Sequence, residues 1–88
     1  MKLVFSDQAW EDYQYWVSTN DKVRDRINEL IKQCKRTPFK GTGKPEPLKG
    51  DLTGWWSRRI SQEDRMVYRV SGAGDNQSLE IAQLRFHY

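Results

Sequence analysis

At 88 residues the chain can form one domain, expected over 1–88, around one modest core. Four Trp, four Tyr and three Phe concentrate apolar area in few side chains, so a folded domain is expected despite a hydrophobic content of only 36%. No apolar run approaches the roughly 18 residues of a membrane span, and MKLVFSDQAW lacks the pattern of a secretory signal. One Cys and one His provide neither an internal disulfide nor a zinc cluster, so neither metal nor cofactor is expected. A cytoplasmic protein without membrane contact fits these features.

The net charge of +3 is unevenly spread. Residues 35–69 hold nine basic and four acidic side chains, whereas the segments on either side each carry one excess acid. A basic centre between near-neutral ends suits a localised anionic partner, phosphate above all, but also a merely solvated surface.

Lys2–Phe5 reads as a short strand, with Ser6 as helix cap and Asp7 as first-turn acid. Ala9, Tyr13, Trp16 and Val17 recur at helical spacing, with Trp10 beside them, and predict a helix to about Ser18 with these residues in the core. Thr19-Asn20-Asp21 interrupts it and caps a second helix carrying Val23, Ile27, Leu30, Ile31 and Cys34 on one face. So short a connection predicts an antiparallel hairpin. The stretch TPFKGTGKPEPLKGD, with all three prolines and three of the six glycines, reads as a loop. Strands are predicted at Trp55–Ser61, Arg65–Ser71 and Leu79–Phe86, forming an antiparallel meander. Met66, Tyr68 and Val70 alternate with Arg65, Val67 and Arg69, so one face packs on the helices and the other presents guanidinium groups. In the last strand Leu79 and Ile81 fall out of phase with Ala82, Leu84 and Phe86, which fits either a bulge or a two-sided strand. The expected class is α+β, order β-α-α-β-β-β, with a helical hairpin on one face of a small, mostly antiparallel sheet.

Three residues from separate segments bear on chemistry. Glu46 lies between Pro45 and Pro47 on a stiffened backbone, and suits either a surface charge or a catalytic carboxylate. Arg65 follows a hairpin turn, where a planar fork suits a phosphate or a structural pair. His87 is the lone histidine, near the C-terminus, and is suited to proton transfer near neutrality unless that end frays. Internal RNA cleavage needs a base for the 2′-OH, a cation for the phosphorane and an acid for the departing 5′-oxygen. Carboxylate, guanidinium and imidazole fill those roles. Tyr88 and the tryptophans offer flat surfaces for an unpaired base.

The stretches WEDYQYW, INELIK, RTPFKGTGKPEPLKGDLTGWWSRRI, EDRMVYRV and RFHY resemble those of YoeB-type toxins of the RelE/ParE superfamily, over nearly the whole chain. Only SGAGDNQ matches poorly, as a longer turn. The resemblance implies a fold similar to small microbial ribonucleases, mRNA cleavage on translating ribosomes and neutralisation by a cognate antitoxin. It also implies a homodimer, with DNA contacted only indirectly through the antitoxin. It places the general base on Glu46, the transition-state arginine on Arg65, the general acid on His87 and a site-shaping tyrosine on Tyr88. Lys49 and Arg59 match basic positions that hold RNA phosphates. A DNA-reading module is disfavoured, because the segment holding both helices carries five basic and six acidic residues through Cys34. A non-catalytic RNA- or ribosome-binding protein is the remaining alternative.

Overall fold

Ser6 closes β1 (Lys2–Phe5) and opens α1 (Asp7–Thr19) in the computed structural model, which describes residues 1–86. Its hydroxyl accepts the Ala9 N–H at 3.0 Å and donates to the Ala82 carbonyl at 2.7 Å, capping the helix and tying it to the last strand. Asn20 alone links the helices. Its side-chain oxygen accepts the Val23 N–H at 3.2 Å and so caps α2 (Asp21–Arg36), whose last turn carries Lys35 and Arg36 against the helix dipole.

The remaining strands are β2 (Glu46–Pro47), β3 (Trp56–Arg59), β4 (Arg65–Ser71) and β5 (Ser78–Gln83). They form a five-stranded sheet in the order β1-β5-β4-β3-β2. β1 runs parallel to β5, and the other pairs are antiparallel. The α+β fold is therefore as expected, with one correction. Residues 37–51 are not all loop, because Glu46 and Pro47 pair with Ser57 and Trp56 as an edge strand. A proline is tolerated there because an outer strand needs no second row of donors.

Trp56, Met66, Tyr68, Val70, Leu79 and Ile81 face the helices and pack against Ala9, Trp16, Ile27, Leu30, Ile31 and Cys34. Val17 does not join them. It is 44% exposed, and the buried residues of α1 are Ala9, Asp12 and Trp16. Asp12 is buried because the Leu84 N–H and Gln8 Nε2 each donate to its carboxylate at 2.9 Å, satisfying a charge otherwise costly to remove from water. Trp16 Nε1 donates to the Leu84 carbonyl at 2.8 Å, so α1 holds both backbone polar groups of Leu84.

A bulge resolves the phase conflict in β5. Val67 lies opposite Gln83 and Tyr68 opposite Ile81, leaving Ala82 as the extra residue. Leu79, Ile81 and Leu84 are thereby all buried. Phe86, expected to pack with them, is instead 60% exposed, because strand pairing ends at Gln83. The poorly matching turn is a loop closed by the Ser71–Ser78 pair, at the opposite end of β4 from Arg65.

Candidate active site on the open sheet face

Directly opposed residues in an antiparallel ladder project from the same face. Glu46 lies opposite Ser57, Ser57 opposite Val67, and Val67 opposite Gln83, a row crossing four strands on the face away from the helices. The next row holds Arg59 opposite Arg65. Glu46 and Arg65 are two strands apart and two residues offset, so their Cα atoms stand about 12 Å apart. Two long side chains can close on one phosphodiester from that spacing. Ser57 and Val67 are buried beneath them and floor the site.

Glu46 is exposed on its edge strand, in a groove of about 390 Å³ that it shares with Pro47, Leu48 and Lys49. Backbone bonds fix the groove to β3 on both sides. Arg59 N–H donates to the Gly43 carbonyl at 2.7 Å, and Leu48 N–H to the Trp55 carbonyl at 2.9 Å. Lys49 is exposed and precedes a 3₁₀ turn, Gly50–Leu52.

Arg65 Nη1 donates to three carbonyls of its own hairpin turn: Ser61 at 2.7 Å, Asp64 at 3.1 Å and Gln62 at 3.2 Å. One nitrogen of the fork is thus fixed. Among the described residues Nε and Nη2 carry no hydrogen bond, so the group is oriented but still able to donate to an anion. Arg59 is exposed, and its carbonyl accepts from Arg26 Nη2 at 3.0 Å. Arg69 shares the face but is engaged in structure. Its Nε meets Glu80 Oε1 at 2.7 Å, and its guanidinium lies 4.4 Å from the centre of the Trp55 ring. Hydrogen bonds from Ser71 and Arg69 hold the Glu80 carboxyl below the usual carboxylate range.

His87 and Tyr88 lie outside the described residues. The backbone leading to them is held at the start of β4: Phe86 N–H donates to Asp64 Oδ1 at 2.7 Å, and its carbonyl accepts the Arg65 N–H at 3.1 Å. The tryptophans are less available for stacking than expected. Trp16 is buried, Trp56 packs against Phe39 at 4.8 Å, Trp55 lies under Arg69, and Trp10, though exposed, stacks on Tyr13 in the helical layer.

Arg58 was counted in the sequence only as part of the basic excess, yet it is fully buried. It points to the helix side and braces the loop before Glu46. Nη1 donates to the Thr42 carbonyl at 3.0 Å, Nη2 to the carbonyls of Lys40 (2.9 Å) and Thr37, and Nε to the Tyr68 hydroxyl at 3.3 Å. Tyr68 in turn donates to the Pro38 carbonyl at 2.6 Å. Burial raises the Tyr68 phenol to about 12 and pushes up the neighbouring Cys34 thiol. The signal was present in the period of β3, where Arg58 alternates with Arg59 and falls on the side of Trp56.

Over residues 5–88 the sequence matches the YoeB-like toxin of bacterial type II toxin–antitoxin systems. It is 53% identical to toxin YoeB of Escherichia coli (strain K12), with the whole of both chains covered. A YoeB/ParE toxin from Agrobacterium tumefaciens superposes with a TM-score of 0.96 at 58% identity, again over both entire chains. YoeB of Staphylococcus aureus, solved in a heterotetrameric complex with the antitoxin YefM, gives 0.87 at 45% identity, covering 100% of this chain and 98% of that one. The same organism's YoeB has also been solved as a dimer, with a TM-score of 0.87 at 44% identity over the same shares.

Proposed function

Because the chain belongs to the YoeB-like toxins of bacterial type II toxin–antitoxin systems, we propose that it acts as an endoribonuclease, cutting mRNA on translating ribosomes in the cytoplasm without a metal. The observation that carries this reading is the gathering of Glu46, Arg59 and Arg65 on the one sheet face the helices leave open, beside the groove holding Lys49.

Glu46 takes the proton of the 2′-OH, and the 2′-oxygen attacks the adjacent phosphorus. Arg65, oriented by its turn carbonyls, donates to the oxygens on which charge grows. The P–O5′ bond breaks as His87 protonates the leaving oxygen, with Tyr88 shaping the site. The products are a 2′,3′-cyclic phosphate upstream and a 5′-hydroxyl downstream. Lys49 and Arg59 hold flanking phosphates, a role suited to exposed cations. The S. aureus YoeB–YefM complex and YoeB dimer support a cognate antitoxin and a homodimer as partners here. On this reading DNA is reached only through the antitoxin.

The test is to express the chain in a translation extract and map the 5′ ends of messenger fragments. Cuts confined to ribosome-occupied codons, with cyclic phosphate upstream, are expected. Downstream 5′-phosphates would replace the scheme with metal-activated water. A Glu46→Gln protein that still cuts at the wild-type rate would remove Glu46 as base.

A further inference from the structure

Phe86 has φ +66, a left-handed backbone conformation that bulky residues adopt only where their surroundings enforce it. Burial of its ring does not enforce it, because the side chain is 60% exposed and meets the Arg85 guanidinium 4.4 Å from its centre. The backbone bonds do. The N–H is taken by Asp64 Oδ1 at 2.7 Å, and the carbonyl, which begins the peptide bond to His87, by the Arg65 N–H at 3.1 Å. The second Asp64 oxygen accepts the Ser61 hydroxyl at 3.0 Å, and Ser61 Oγ itself accepts the N–H groups of Glu63 and Asp64. One carboxylate therefore joins the hairpin turn that orients Arg65 to the residue from which the chain departs toward His87.

We propose that Asp64 is a positioning residue: its carboxylate latches Phe86 in the left-handed conformation and so sets the approach of His87 to the phosphate held by Arg65. The inference rests on the ribonuclease reading above. Asp64 touches no reacting atom. It acts through geometry, and a misplacement of about 1 Å in a catalytic group can cost on the order of 10²-fold in rate.

Two measurements separate this role from simple support of the turn. The first is hydrogen exchange of the Phe86 amide in the free protein. Asp64→Ala should speed it at least about tenfold, whereas Asp64→Asn, which keeps an acceptor at Oδ1, should leave it protected. The second is the single-turnover cutting rate on ribosomes. Asp64→Ala should lose about 10- to 100-fold with ribosome affinity unchanged, and Asp64→Asn should recover most of it. Ser61→Ala keeps the Ser61 carbonyl that orients Arg65 and the Asp64 oxygen that takes the Phe86 N–H, and should lose clearly less than Asp64→Ala. Unchanged Phe86 exchange in Asp64→Ala overturns the latch. Faster exchange with an undiminished cutting rate, or a loss in Ser61→Ala equal to that in Asp64→Ala, overturns its positioning role. The exchange arm needs no RNA, so a wild-type protein that cuts nothing would overturn the ribonuclease reading while exchange still decides whether the latch exists.

Discussion

Arg59 and Arg65 stand directly opposite one another across the β3–β4 ladder, on the face the helices leave uncovered. Like charges in that relationship repel, a cost that the proposed function offsets by holding an anion between them. Arg59→Gln should therefore stabilise the free protein by a few tenths to about 1 kcal/mol at low salt, fading as salt screens the pair. The same variant should bind RNA or ribosomes more weakly. Denaturant melts at two ionic strengths check the first half; lower stability at both would show that the guanidinium is a structural support.

Arg65 and Lys49 should fail in different ways. Arg65 is oriented by three carbonyls, and Arg65→Ala should slow single-turnover cutting by about 10²–10³. Lysine should rescue only part, since it lacks the planar fork. Lys49 is an exposed cation at the groove, so Lys49→Ala should weaken binding and flatten its salt dependence while sparing the chemical step. A binding loss in Arg65→Ala with cutting intact would reassign that residue to docking.

Under single-turnover conditions His87→Gln should remove the alkaline limb of the pH–rate profile, as loss of the general acid requires. A profile unaltered in His87→Gln would place the acid elsewhere.

Tyr68 links the core to the loop before Glu46, and its phenol lies at about 12 in the folded chain because it is buried. The unfolded value is about 10. The folded state therefore keeps this proton more tightly, and the associated stability is complete below about pH 10 and lost as pH rises through about 12. Absorbance titration should show a late tyrosinate step that Tyr68→Phe removes. That variant strands the Pro38 carbonyl and Arg58 Nε, and should cost about 1–3 kcal/mol. Loss of an early step instead would mean that the hydroxyl reaches water.

Gly43 has φ +90, and an added Cβ would stand 3.0 Å from Leu30 Cδ2 and 3.1 Å from Arg58 Cβ. Gly43→Ala should destabilise the fold by more than about 1 kcal/mol and shift β2, because both conformation and space are refused. Thermal melts and the Glu46–Ser57 cross-strand contact in NMR spectra report the two effects. A neutral melt would show that the loop relaxes freely.

Local pattern in the sequence was enough for the elements and their order. Ser6 and Asn20 sit where side-chain oxygens cap helices, and the α2 stripe from Ile27 to Cys34 repeats at helical spacing, so those elements follow from interactions a few residues long. The alternation in β4 likewise set Arg65 on one face and Met66 and Tyr68 on the other. Tertiary structure decided what depends on contacts distant along the chain. Glu46 became part of an edge strand only because β3 offered a free ladder, and Asp12 is buried only because Leu84 N–H, 72 residues away, comes to it. The period of β3 put Arg58 on the Trp56 side, but its full burial there rests on loop carbonyls and the Tyr68 hydroxyl satisfying its donors, partners no periodicity encodes. Phe86 turned outward because strand pairing ends at Gln83 and Asp64 took its N–H. Periodicity records which side of an element is apolar, whereas the satisfaction of a buried or strained polar group depends on which distant donors and acceptors the fold brings to it.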